Sequence, residues 1–275
     1  LSVELEDYDL AEKYFLQSLK RKPKDKDQVF IYLAKIADKK NLTDAAITWL
    51  NKVGNGNHFI ESKLITAEII AKKESVDKAL EFLSTIKSNS ADEKLSVVQL
   101  KTSLLTRFNR HREAFQLMQS EAPNFAKSAE FKFDYALLAD KLNKYDLMEN
   151  LLREAIKIKP DYAVAYNALG YSFADRNIHL EDARKYIEVA LSISPNNHYI
   201  LDSMGWLYFR LGKLDSALSF IQKAYDIQAD PEIAAHLSEI LWAQGKKKEA
   251  SDVLELSLQS FPDNEVLKET FKRLR

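Results

Sequence analysis

The 275-residue chain contains no cysteine, so disulfides and thiolate metal sites are excluded. That absence fixes no compartment, because cytosolic and periplasmic proteins alike can lack cysteine. No run approaches the roughly 20 consecutive apolar residues a membrane helix needs, and no signal peptide is visible. Neither sign of charge prevails: 40 Lys and Arg stand against 41 Asp and Glu, a net charge of -1. Nucleic acid and anionic membranes both demand a basic excess, so the composition gives no electrostatic case for either. The period-2 alternation of a half-buried strand is missing throughout.

What the chain does have is a period. With 46% hydrophobic residues there is enough apolar material for a sizeable core, and it recurs at a fixed interval. A small residue followed by an apolar one four positions later appears as Ala11/Phe15, Ala46/Leu50, Ala79/Leu83, Ala114/Met118, Met148/Leu152, Ala183/Ile187, Ala217/Ile221 and Ala250/Leu254. Successive first members are separated by 35, 33, 35, 34, 35, 34 and 33 residues. A second series supports the first: Tyr166, Leu169, Gly170 and Phe173 are followed by Leu201, Met204, Gly205 and Tyr208. The glycine slot is otherwise held by Ala34, Ala67, Thr102, Ala136 and Ser238, all small, as a close helix crossing requires. Pro23, Pro160, Pro195 and Pro262 fall where a second helix must stop. Asn41, Asn109, Asn143, Gly212 and Gly245 mark the turn inside a unit.

These features resemble the tetratricopeptide repeat. The resemblance implies an all-α fold, a right-handed superhelical solenoid of antiparallel helix pairs. The expected organisation is a partial repeat over 1–25, about seven units over 26–263 and a capping helix over 264–275. Lys63, Lys101 and Lys132 occupy slots that are usually apolar and weaken the match between residues 60 and 130. Solenoids need polar caps. At the C-terminal end Val266, Leu267, Phe271 and Leu274 form an inward stripe, with Lys268, Glu269, Lys272 and Arg273 outward. At the other end Leu1, Val3 and Leu5 are apolar without a partner helix, so the array is expected to continue upstream as part of a longer protein.

Signs of chemistry are absent from the sequence. His58, His111, His179, His198 and His236 lie in different units, and none has the i, i+4 spacing of a helical metal site. The Gly-Asn-Gly at 54–56 reads as a flexible connection. A nucleophile elbow and a P-loop are both lacking. The expectation is no catalytic residue, no metal and no cofactor, hence not an enzyme.

In the resembling repeats the first helix of each unit lines a concave face. That face is polar in the early units, with Gln28, Ile31, Lys35, Asp38, Glu61, Leu64, Glu68, Ser96, Gln99 and Ser103. Later it becomes aromatic, and the candidate protein- or peptide-binding residues are Asn167, Tyr171, Tyr199, Asp202, Trp206, Phe209, Glu239 and Trp242. Rigid aromatics beside hydrogen-bonding groups suit an extended polypeptide. Each aromatic could instead pack between successive helices. Trp206 is assigned to the binding face, because Met204 and Gly205 already fill the packing slots beside it. A clamp for a C-terminal carboxylate is not expected, since Asn167, Asp202 and Glu239 stand where Lys and Arg would be needed.

Three stretches, NALGYSFADR (167–176), LDSMGWLYFRLG (201–212) and EIAAHLSEILWAQG (232–245), resemble the C-terminal units of a proteobacterial family of tetratricopeptide outer-membrane lipoproteins. Its best-understood member is an adaptor that activates a periplasmic C-terminal processing protease and brings it cell-wall hydrolase substrates. The resemblance implies a protein-binding scaffold in the periplasm, tethered to the outer membrane through an upstream lipidated cysteine. Its partners would be a protease, its protein substrate, or both. The alternative is a general peptide-binding assembly factor for secretion, pili or polysaccharide export.

Overall fold

A computed structural model describes residues 7–274. Sixteen α-helices occur among them, and no strand. The chain divides into two compact units, one ending at Phe125 and the other beginning at Ala126. The apolar Leu1, Val3 and Leu5 lie outside the described residues. No helix is long and apolar enough to cross a membrane among the described residues.

In the first unit, α1 (Tyr8–Lys20) precedes three helix pairs: α2 (Lys26–Lys39) with α3 (Thr43–Leu50), α4 (Phe59–Lys73) with α5 (Val76–Ser84), and α6 (Ala91–Arg107) with α7 (His111–Glu121). The second unit holds four pairs. These are α8 (Ala129–Lys141) with α9 (Tyr145–Ile158), α10 (Ala163–Asp175) with α11 (Leu180–Ile193), α12 (His198–Arg210) with α13 (Leu214–Ile227), and α14 (Pro231–Ala243) with α15 (Lys247–Ser260). A last helix, α16 (Glu265–Arg273), packs on α14 and α15. Leu267 and Thr270 are its buried face, and Phe271 and Leu274 pack beside them. Val266 belongs to the expected inward stripe but is exposed.

The periodic residues are the core. Ala11, Ala46, Ala79, Ala114, Met148, Ala183, Ala217 and Ala250 are all buried, as are their apolar partners from Leu50 to Leu254; only Phe15 is half-exposed. Helices cross where side chains are smallest, and two glycines show how tight the crossing is. A Cβ on Gly170 would lie 2.6 Å from Ile187 Cγ1 and 2.9 Å from the Ala183 carbonyl oxygen. A Cβ on Gly205 would meet the Ile221 backbone nitrogen and Cβ at 3.1 Å.

Two devices start the helices. Asp7, Asp25, Ser90, Ser128, Asn197, Asp230 and Asn264 cap α1, α2, α6, α8, α12, α14 and α16 by accepting from a backbone N–H of the first turn. Most second helices instead enter through a left-handed residue. Asn41, Asn109, Asn143, Asn177, Gly212 and Gly245 have φ between 56° and 79°, the region where Gly and Asn are least strained. The residue after each donates its N–H back across the turn, as Lys213 does to Tyr208 and Lys246 to Leu241, the Schellman closure. The α4–α5 connection lacks the left-handed residue, and there Ser75 caps α5 with its side chain. The four connecting prolines each follow a helix end by two or three residues.

The three lysines in apolar slots are accommodated by reaching outward, two to polar partners and one over an aromatic ring. Lys132 Nζ meets Glu154 of α9 at 2.5 Å, and Lys101 Nζ donates to Ser84 Oγ of α5 at 2.9 Å. Lys63 lies over the Phe59 ring, 5.2 Å from its centroid.

Gly170→Ala is expected to destabilise the protein by about 1–2 kcal/mol, because overpacking against a backbone oxygen outweighs the gain in helix propensity. Gly205→Ala should cost less, since its nearest contacts are longer. Urea midpoints of the two variants against the parent check the order; an equal or raised midpoint for Gly170→Ala would refute the tight crossing.

Candidate functional site

Within the second unit α10, α12 and α14 lie side by side, and α16 follows on α14. Each contributes to a cleft of about 370 Å³ lined by Asp175, Trp206, Arg210, Glu232, His236 and Arg273, among others. His236, which lines it, forms a buried pair with Asp202, its Nδ1 lying 2.8 Å from the Asp202 carboxylate. Trp206 stacks on the same imidazole, with ring centroids 4.2 Å apart and planes 18° from parallel. Phe209 lies 5.0 Å from Trp206. Tyr171 donates its hydroxyl to Glu232 Oε1 at 3.2 Å. Arg273 of α16 donates to both oxygens of Glu239, at 2.5 and 3.2 Å.

Electrostatics follow from this crowding. Burial of the His236 ring works against its charged form, but Asp202, with Glu232 and Glu239 beyond it, prevails and holds the imidazole above the usual histidine range. The Tyr171 hydroxyl is pushed far up, first by burial and then by the carboxylates of Glu232, Asp175 and Asp202.

The eight residues expected to bind a partner do not share one fate. Tyr199 is half-exposed at the start of α12, beside His198 at 4.1 Å. Asn167, Tyr171 and Phe209 are half-buried, and the Asn167 Oδ1 is enclosed without a partner among the described residues. Glu239 and Asp202 are already engaged, by Arg273 and His236. Trp242 packs into the α12–α15 core, with Lys247 over its ring at 4.8 Å. Trp206, assigned to the binding face because its neighbours fill the packing slots, is itself only 6% exposed. It lines the cleft while stacking on His236, a residue of the next repeat.

Asp175, Arg210, His236 and Arg273, which complete the site, were not singled out from the sequence as binding groups. A signal for two of them existed. His236 lies 34 residues after Asp202, and Arg273 34 after Glu239, so opposite charges one repeat apart face each other across neighbouring helices. In the first unit Lys72 and Asp38 obey the same rule at 3.1 Å. There the inner face is largely self-paired, with Lys35–Glu61 at 3.0 Å and His58 between Asp25 and Glu61 at 2.8 and 3.3 Å. Among the described residues no group of His, Cys, Asp and Glu could hold a metal ion.

A stack of such pairs with a ligand-sized cleft on its first helices defines a helical-repeat protein. Residues 1–25, 129–162 and 199–231 match the model of the tetratricopeptide repeat, and the all-helical fold of paired helices is of that repeat class. It is 33% identical over 248 residues to the TPR repeat-containing protein PA4667 of Pseudomonas aeruginosa, an alignment covering 90% of this chain and 42% of that protein. The chain therefore spans less than half the length of this relative. A solved tetratricopeptide repeat protein from Parabacteroides merdae superposes with a TM-score of 0.68 at 16% identity, over 90% of this chain and 98% of that one. The type IV pilus biogenesis factor PilW gives 0.58 at 16% identity, over 78% and 99%. A thermophilic TPR protein of Thermus thermophilus gives 0.58 at 20%, over 63% and 94%. These structures share the fold.

A histidine whose pKa rises on folding stabilises the fold fully below its unfolded value of about 6.5, and that contribution fades as pH climbs through the raised folded value. His236→Gln, which cannot titrate, should lower stability by about 3 kcal/mol at pH 6 through loss of the buried charge pair. The deficit should shrink towards pH 9. Chemical denaturation of parent and variant at both values measures it; a deficit independent of pH would remove His236 from the titrating pair.

Proposed function

We propose that this protein is a protein-binding scaffold of the bacterial envelope, docking a C-terminal processing protease, its cell-wall hydrolase substrates, or both. The observation that carries the reading is the cleft on α10, α12, α14 and α16, where aromatic rings and hydrogen-bonding groups from four helices converge. Such a surface suits an extended polypeptide, since a few polar groups converging over a firm apolar floor fix the orientation of a bound chain. The three stretches at 167–176, 201–212 and 232–245 that resemble the lipoprotein adaptor family contribute most of its lining. In this reading the full-length protein works in the periplasm, anchored to the outer membrane by a lipid.

The test is affinity capture from a proteobacterial envelope extract, with the purified chain as bait and mass spectrometry as readout. A C-terminal processing protease or a cell-wall hydrolase should be enriched, and Tyr199→Ala should reduce its recovery. Tyr199 is half-exposed, so its truncation leaves the core intact. Recovery of neither class, or recovery indifferent to the substitution, would count against the proposal.

A further inference from the structure

The cleft holds hydrogen-bonding groups and charges that the packing of the repeats leaves unmatched. Two donors one turn apart on α12, Trp206 Nε1 and Arg210 Nε, are buried with no acceptor among the described residues. Trp206 lines the cleft while only 6% of its surface is exposed. Enclosed N–H groups without acceptors are rare in folded proteins, and a ligand that supplies one is a physical reason for keeping them.

The carboxylates divide into two sets. Asp202 and Glu239 are neutralised by His236 and Arg273. Asp175, Glu232 and Glu269 line the same cleft with no cationic partner among the described residues; Glu232 accepts only from the neutral Tyr171 hydroxyl. Arg210 is the lining cation without an ion pair among the described residues, so negative charge is in excess. Burial first, and then the carboxylates of Glu232, Asp175 and Asp202, raise the Tyr171 hydroxyl, and Glu232 adds to Asp202 in raising His236. A free carboxylate or phosphate would be repelled there. A neutral acceptor can satisfy the two donors, and a cation can lie against the three free carboxylates.

We propose that this cleft binds a basic segment of an extended polypeptide, with a main-chain carbonyl accepting from Trp206 and Arg210 and a Lys or Arg side chain against Asp175, Glu232 and Glu269. The volume of about 370 Å³ fits one long side chain together with a short stretch of main chain. The inference rests on the peptide-binding reading above and adds its selectivity. It also excludes an acidic peptide, which the groove geometry alone would admit.

The test begins with random dodecapeptides displayed on phage and selected on the immobilised full chain. The consensus peptide, labelled with fluorescein, is then titrated by anisotropy. Lys or Arg should be enriched at one fixed position, and affinity should fall with added salt. The double variant Asp175→Asn/Glu232→Gln should bind about tenfold more weakly. Both residues are exposed and Gln keeps an acceptor for Tyr171, so the fold is retained; a thermal melt verifies it. Trp206→Phe, which keeps a ring on His236 but removes the indole N–H, should also weaken binding. Neutral or acidic consensus peptides, lost with Tyr199→Ala but indifferent to the double substitution, would overturn the basic selectivity and leave peptide binding standing. No selection above a blank surface would overturn both.

Discussion

In every helix pair the second helix meets the first through one buried residue, an alanine in all but one case, where Met148 stands. Opposite it stands Gly170, Gly205 or another small side chain. That contact sets how closely two helices approach, and the approach sets everything outside it. The crossing is tightest at Gly170 and Ala183, and the first helices of neighbouring pairs in the second unit pack directly on one another. Side chains on α10, α12, α14 and α16 then act as one surface, although they come from residues a hundred positions apart. A core built this way has no spare volume, which is why a single methyl group is felt there.

The repeat itself was legible because its causes are local. Small-plus-apolar pairs at steps of 33 to 35 residues, prolines after helix ends and Asn or Gly at the turns each have a reason within one unit. The structure fills in the remaining turns and the exceptions to the pattern. Asn177 joins the left-handed turn residues, and Ser75 replaces one of them with a side-chain cap. The long lysines at 63, 101 and 132, which look like breaks in the pattern, carry their charges outward, Lys101 and Lys132 to neighbouring polar groups and Lys63 over an aromatic ring.

The site was only half legible, for a physical reason. A single-helix reading identifies which residues face inward but not what the next helix offers them. Tyr171 and Tyr199 could be placed on the inner face; that Asp202 and Glu239 are neutralised there could not be seen without looking one repeat ahead. Trp206 shows the limit most clearly. Its packing slot looks full when only α12 is considered, yet His236 arrives from α14 and forms a second layer beneath it. Burial of an aromatic in a repeat protein is thus a property of two units, and so is the charge left over for a ligand.

The charge pairs spaced by 34 residues carry a further consequence. Apolar contacts between near-identical repeats tolerate exchange, since any alanine ridge fits any groove of the same width. The pair Asp202–His236 matches α12 to α14, and Glu239–Arg273 matches α14 to the terminal helix. Transposing α12 or α14 would leave the buried Asp202 or His236 without its opposite. Each repeat therefore bears an address as well as a shape. The order of the array is written in a few ionic contacts, while its stability is spread over all the apolar ones.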